Sequence, residues 1–115
     1  MSFLTDIKSM LSTVQNVYIG NMPSSPDNCV GLMNSGGYAR SLTGTMLESP
    51  TFQVRVRNLS YDTGITLCET IKDLLHGHST TKILVIEQQG DILDIGRDEL
   101  GRPEWTMNFR TYYRR

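Results

Sequence analysis

The sequence predicts a single α+β domain, spanning residues 1–115, in which two helices cover one face of a mostly antiparallel mixed sheet. Two stretches, near residues 3–14 and 60–77, show the apolar spacing of amphipathic helices. Several short stretches between and after them alternate apolar and polar residues, as half-buried strands do. At 115 residues the chain is long enough for one core but too short for two. Both helices need a surface for their apolar stripes, so we expect both on the same face of the sheet.

The N-terminal half is predicted to contain one helix and three strands. In chain order these are a helix at 3–14 and strands at 17–20, 29–33 and 51–57. Ser2 or Thr5 can cap the helix, and a segment with two prolines separates the first two strands. Gly36 and Gly37 allow backbone conformations closed to other residues, so the chain is expected to turn or bulge there.

A long loop is expected at about 37–50, because that segment has neither a helical nor a strand period and little that could pack a core. Met46 and Leu47 are neighbouring apolar residues in this polar loop, which suggests a contact with another molecule. We expect the segment to be mobile in the free protein and to become ordered on a partner. The candidate contact residues in it are Tyr38, Arg40, Leu42, Met46 and Leu47.

The C-terminal half is predicted to contain one helix and three strands. In chain order these are a helix at 60–77 and strands at 82–88, 92–95 and 104–114. Ser60 can cap the helix, and Gly77 sits where a left-handed C-terminal cap belongs. Gly64, inside the helix, should cost about 1 kcal/mol relative to alanine. The sequence at 89–91 predicts a tight reversal and hence a β-hairpin, and 98–103 predicts another turn.

The strand at 51–57 carries an arginine face. Its apolar residues are Phe52, Val54 and Val56, and they alternate with Gln53, Arg55 and Arg57. The formal net charge is -1, from 11 basic and 12 acidic side chains, so no free basic patch is expected. We therefore expect Arg55 and Arg57 to pair with carboxylates of the same chain or of a neighbouring copy. We also predict that they serve assembly rather than folding of the subunit.

Composition and motifs argue against an enzyme. The sequence has no phosphate-binding loop, dinucleotide fingerprint or nucleophile elbow, and His76 and His78 lack a third donor for a metal. Cys29 and Cys68 have no metal or redox spacing and are expected to be buried free thiols. No cofactor or metal is therefore expected. The start of the chain has no basic leader and no window is apolar enough to span a membrane, which predicts a soluble protein made in the cytoplasm.

Taken as a whole, the sequence resembles the tail terminator or minor capsid proteins of bacteriophages with long non-contractile tails. The matching segments are Pro26-Asp27-Asn28-Cys29-Val30, Gly36-Gly37-Tyr38, residues 50–57, Ser60-Tyr61, Leu74-Leu75-His76-Gly77, Gly96-Arg97-Asp98 and Gly101-Arg102. They occur in order over nearly the full chain, and their joint order together with the total length makes the match fairly specific. The segment 39–47 fits no fixed pattern of the family, so the resemblance does not say which side of a ring it faces.

The resemblance implies a structural virion protein of the tail and neck, assembled in the host bacterial cytoplasm. It implies a ring of six copies that caps the last ring of the major tail tube protein, stops its polymerisation and provides the joint to a head-side connector or stopper protein. DNA would only pass through the lumen, and no membrane is involved. Separately from the resemblance, we expect the tail tube to order the segment 37–48 and to be contacted by it.

A ring subunit needs two different surfaces that meet head to tail, and mixed charge suits such a contact. The candidate subunit-interface residues are Arg55, Arg57, Asp94, Arg97, Asp98, Glu99 and Arg102. Two other functions stay open: another neck protein, either a connector or a stopper, and a small nucleic-acid-binding domain that uses the arginine face. The near-neutral charge disfavours the second of these, because phosphate neutralisation needs a concentrated cationic surface.

Overall fold

A five-stranded mixed sheet with two helices on one face makes up the described part of the chain. The computed structural model describes residues 3–38, 47–80 and 83–114. In chain order the elements are α1 (Phe3–Met10), β1 (Val17–Ile19), β2 (Cys29–Tyr38), β3 (Leu47–Arg57), α2 (Tyr61–Leu75), β4 (Ile83–Arg97) and β5 (Pro103–Arg114). The predicted fold class, α+β with both helices on one sheet face, is confirmed.

The strands lie side by side in the order β1-β2-β3-β5-β4. β1 runs parallel to β2, and the other neighbouring strands are antiparallel. The long strands make the molecule elongated, 48 Å by 25 Å by 24 Å. One end of the sheet carries the turn between β4 and β5, and we call it the turn end. At the other end β2 stops at Tyr38 and β3 starts at Leu47, and we call it the loop end.

The core lies between the helices and the facing side of the sheet. Phe52 is fully buried and stacks on Phe109, with ring centroids 5.3 Å apart. Phe3 of α1 meets the Phe52 ring edge-on at 6.0 Å. The strand alternation read from the sequence is confirmed, because the inward-facing residues are all buried: Phe52, Val54 and Val56 on β3, and Trp105, Met107, Phe109 and Thr111 on β5. Cys29 and Cys68 are free and buried, as predicted.

Helix α2 begins and ends at the caps that the sequence indicates. The Ser60 hydroxyl accepts a hydrogen bond from the Thr63 N–H, and Gly77 adopts a φ of +76° just after the helix. The Gly77 N–H then donates to the Ile86 carbonyl over 2.8 Å, and His76 Nδ1 accepts from the Gln88 N–H over 3.0 Å. The end of α2 is thereby fastened to β4.

Gly64 has a packing role that the sequence does not show. It lies buried in the first turns of α2, directly over the indole ring of Trp105. A Cβ atom built at Gly64 would overlap ring atoms Cη2 and Cζ3 of Trp105. The glycine that weakens the isolated helix therefore lets the helix approach the largest side chain of the core.

The predicted hairpin at 89–91 is wrong. Residues 83–97 form one strand, β4, which pairs with β5 on both sides of that segment. Gly90 has a φ of +78°, and the register shifts between Gln89 and Leu93, so the segment is a β-bulge. A glycine next to an aspartate is compatible with a β-bulge as well as with a tight hairpin turn, and this explains the wrong prediction. The actual hairpin turn is the one predicted at 98–103, between β4 and β5.

The bounds of the second strand and of the loop after it also differ from the prediction. β2 does not end at residue 33 but continues to Tyr38, with a register shift between Asn34 and Gly36. The bulge expected at the paired glycines is thus present, but the chain does not leave the sheet there. Residues 37–38 and 47–50, assigned to the loop from sequence, lie in β2 and β3. The remaining loop residues, 39–46, lie outside the described residues.

Candidate assembly surfaces

The sheet face opposite the helices is polar. Cross-strand neighbours on it are Arg55 with Thr106, Gln53 with Asn108 and Thr51 with Arg110. The Gln53 amide donates to the Asn108 side chain over 3.4 Å, and the hydroxyls of Ser35 and Thr51 lie 2.8 Å apart. This register places Gln53, Arg55, Arg57, Asn108 and Arg110 on one face of the sheet.

Arg55 pairs with a carboxylate of its own chain, which is one of the two arrangements predicted from the sequence. Its guanidinium lies 3.3 Å from Glu104, and 38% of the Arg55 side chain is exposed. Arg55 Nε is buried and has no hydrogen-bond partner among the described residues. More than a third of the side chain therefore stays available on the open face, so Arg55 remains a candidate for contact with another molecule.

Arg57 is held within the fold of its own subunit, and its predicted role in assembly stays a prediction. It is only 3% exposed. Its guanidinium donates hydrogen bonds to the backbone carbonyls of Pro23, Pro26 and Asp27. These carbonyls belong to the loop between β1 and β2, which folds over the turn end of the open face. A buried arginine that satisfies three carbonyls anchors the loop and cannot act as a free interface cation.

Arg102 is a second internal anchor, and its predicted place in the subunit interface stays a prediction. It is 4% exposed and forms ion pairs with Asp98, at 2.7 Å, and with Asp27, at 3.0 Å. It also donates to the Ser24 carbonyl over 2.6 Å. Its hydrogen bonds hold the pKa of the Asp98 carboxyl below the usual value of 3.8. Asp98 and Arg102 therefore fasten the β4–β5 turn to the loop before β2.

The β4–β5 turn is rigid and presents two exposed side chains. Asp98 Oδ1 accepts hydrogen bonds from the N–H groups of Leu100 and Arg102, at 3.0 and 2.9 Å. Gly101 has a φ of +79°, and its carbonyl accepts from Arg97 Nη1 over 2.8 Å. Glu99 and Leu100 point away from these bonds, and Leu100 is 69% exposed. The hydrogen-bonded turn therefore exposes one acidic and one apolar side chain, Glu99 and Leu100.

Asp94, another predicted interface residue, ties β4 to α2. Its Oδ2 accepts from the Tyr61 hydroxyl over 2.8 Å, while its Oδ1 accepts from the Gly96 N–H. The bond from the Gly96 N–H and then that from Tyr61 lower the pKa of Asp94. The Tyr61 ring in turn packs on Trp105, with centroids 5.2 Å apart. Asp94 remains exposed, so the internal bond leaves one side of the carboxylate accessible.

Two of the predicted tube-contact residues, Tyr38 and Leu47, lie at the loop end. The backbones of Tyr38 and Leu47 are strand ends, opposite Ser49 and Arg114 respectively. Arg40, Leu42 and Met46 lie outside the described residues. The β2–β3 pairing places the ends of these two strands, at Tyr38 and Leu47, at the end of the sheet opposite to the β4–β5 turn.

The described residues contain no cluster of three or more His, Cys, Asp or Glu side chains that could hold a metal ion. His76, one of the two histidines weighed as ligands, instead closes the end of α2. Within the same ranges no helix combines the length and apolar character needed to cross a bilayer.

Sequence reasoning missed three residues that build the turn end: Asp27, Tyr61 and Leu100. Asp27 was read as a turn former and Tyr61 as part of an apolar helix stripe. For Leu100 the sequence carries no signal, because single exposed apolar residues are common on protein surfaces.

A family model described as bacteriophage tail terminator protein matches residues 2–115. The chain therefore belongs to the tail terminator family of bacteriophages, a family of structural virion proteins. A search of curated protein sequences finds no match.

Proposed function

We propose that this protein forms a ring that caps the last ring of the major tail tube protein, stops tube polymerisation and provides the joint to the head-side connector or stopper. Membership of the tail terminator family over residues 2–115 is the observation that carries the proposal. The ring contains six copies, as the family resemblance implies, and DNA passes through its lumen without being gripped.

The elongated subunit suits two axial partners. Its loop end and its turn end lie at opposite ends of the 48 Å long axis. We assign the tube contact to the loop end, through Tyr38, Arg40, Leu42, Met46 and Leu47. The family resemblance requires a tube contact, and the segment 39–46 offers apolar side chains in a polar setting.

The charge distribution supports the ring over the nucleic-acid alternative. Arg57 and Arg102 are buried and engaged by their own chain, and Arg55 pairs with Glu104. A phosphate-binding face would need these cations free. A formal charge of -1 fits a lumen that lets DNA pass.

The proposal is tested by polymerising the tail tube protein of the same phage in the presence of this protein. Tubes that stop growing on its addition, and carry it at one end in electron micrographs, are the expected result. Tubes that grow on unchanged would contradict capping. Replacing residues 39–46 by a short Gly-Ser linker should preserve the fold and the ring mass but abolish capping. If tubes still stop in that background, the tube contact lies elsewhere on the subunit.

A further inference from the structure

Strands β1 and β4 are the two edges of the sheet, and both edges are open in the half that lies towards the turn end. The first half of β4 is covered by the link after α2, where the Gln88 N–H donates to His76 Nδ1. In the described part of the chain, no hydrogen bond from this link, residues 76–80, reaches β4 beyond Gln88. We call residues 89–97 the open stretch of β4. The opposite edge, β1, contains only Val17–Ile19.

The register places these two open edges at the same height along the strands. One cross-strand row runs from β1 to β4 through Tyr18, Gly31, Arg55, Thr106 and Leu93. Neighbours in such a row point to the same face of a sheet, so Tyr18 and Leu93 lie at opposite edges of the open face. A rotation about an axis along the strands, with no shift along them, therefore brings Leu93 of one copy beside Tyr18 of the next. That is the condition for a closed ring rather than a helical filament.

The β4 edge carries exposed apolar side chains at this height. Leu93 is 58% exposed on the open face. On the helix side of the same edge, the Tyr61 ring packs on Trp105 and its hydroxyl donates to Asp94, yet 46% of Tyr61 is exposed. An apolar side chain that is already held in place loses little conformational entropy on contact, which suits it to the centre of a protein interface.

The β1 edge offers apolar side chains on both faces as well. Ile19 is 38% exposed and lies on the helix side, because its row partner Leu32 is in the core. Tyr18 is half-buried on the open face. When the two edges lie side by side, Leu93 meets Tyr18 on the open face. On the helix side, Tyr61 comes near Ile19. Aliphatic and aromatic neighbours of this kind stabilise adjacent strands.

Charge favours β1 of a second copy, rather than its β4, as the partner of β4. From Glu87 to Arg97, β4 carries three carboxylates and one cation, so two such edges would repel each other. Residues 15–21, around β1, contain no charged side chain. Asp91 and Asp94 also accept hydrogen bonds from N–H groups of their own strand. The open stretch therefore offers side chains to a partner rather than a regular backbone ladder.

We propose that the open stretch of β4 in one copy packs against the β1 edge of the next copy and that this contact, repeated around the ring, is the subunit interface. The inference rests on the proposed ring and names its contact. Leu93 and Tyr61 supply the apolar centre from one copy, and Tyr18 and Ile19 supply it from the other. Asp94, already predicted as an interface residue, lies within this contact.

The test is a cysteine cross-link that uses the full chain, alone and on tail tubes of the same phage. Wild type, Tyr18→Cys, Leu93→Cys and the Tyr18→Cys/Leu93→Cys double variant are oxidised and separated without reductant; the two natural cysteines are buried. The double variant should give a ladder of covalent oligomers ending at the ring copy number, and neither single variant should do so. The matched control is Tyr18→Cys/Leu100→Cys. Leu100 is 69% exposed but lies on the β4–β5 turn, outside the row, so this pair should give no ladder.

A second measurement is the assembly of Leu93→Asp followed by sedimentation. Loss of a central apolar contact, together with a further acid on the β4 edge, should raise the concentration at half-assembly by about 30-fold, with an unchanged circular dichroism spectrum. Leu100→Asp makes the same change at a more exposed leucine and is the matched control. It should assemble as wild type does.

The outcomes separate the contact from the ring. Leu93→Asp rings that form at the wild-type concentration, with no ladder from the double variant, overturn the contact while leaving the ring intact. A covalent dimer from Leu93→Cys alone also overturns it, because β4 then meets β4. So does a cross-link from Leu93→Cys to the tail tube protein, because the edge then serves the tube. A wild-type protein that stays monomeric both alone and on tubes overturns the ring and the contact together.

Discussion

The substitution Gly64→Ala should destabilise the protein, although the same change in an ordinary helix stabilises it. Alanine gains about 1 kcal/mol of helix propensity over glycine. Here, however, the new methyl group would overlap two atoms of the Trp105 ring, and so close an overlap in a packed core should cost the upper part of the usual range, about 2 to 3 kcal/mol. Because the indole is fully buried, it cannot swing into solvent. We expect a net loss of about 1 to 2 kcal/mol in the free energy of unfolding.

Thermal unfolding followed by circular dichroism measures this loss as a fall in Tm of about 4 to 8 °C for a chain of this size. Thr66→Ala, at an exposed position of the same helix, is the matched control and should leave Tm unchanged or slightly raised. Adding Trp105→Phe to Gly64→Ala should recover part of the loss, since the smaller ring leaves room for the methyl group. A Gly64→Ala variant that melts at or above the wild-type temperature would refute the packing argument.

Three further predictions concern the anchors and the core. Arg57→Leu leaves three carbonyls without their donor and should lower the free energy of unfolding in urea by about 2 to 4 kcal/mol; a cost no greater than that of Arg55→Leu would contradict its role as an anchor. The pKa of Asp98 is depressed in the folded protein, so its stabilising effect is present above pH 3.8 and is lost as the pH falls through the lower folded value. Urea midpoints at pH 7 and pH 3 should therefore differ less in Asp98→Asn than in wild type, while Glu99→Gln, exposed and next to it, should behave as wild type. Phe52→Ala should cost about 3 to 5 kcal/mol in the same assay, and a loss below 1 kcal/mol would show that the stacked core tolerates the cavity.

Periodic patterns predicted the parts of the fold that depend on burial. The alternation around Phe52 and the helical stripe of α2 depend on which face meets the core, and that information is local. The bulge at Gly90 was misread because a single positive φ serves a hairpin or a bulge equally well. The bulge forms because β4 pairs with β5 along most of its length, and a short stretch of sequence around Gly90 does not contain that information.

The sequence predicted which strand carries the arginine face but not the partner of each charged side chain. Asp94, Arg97, Asp98, Glu99 and Arg102 do gather at the turn end. Arg57 and Arg102, however, contact the loop between β1 and β2. This loop covers part of the sheet only in the folded protein, so local sequence patterns do not show the contact. An arginine on the open face of a strand therefore looks available in sequence even where a distant loop buries it.

Electron microscopy of the phage that lacks this protein tests the central claim most directly. A terminator stops tube growth, so its loss should give tails of abnormal and variable length, and supplying the protein in trans should restore one length. Tails of normal length that are detached from heads would instead contradict the terminator role and identify a connector or stopper.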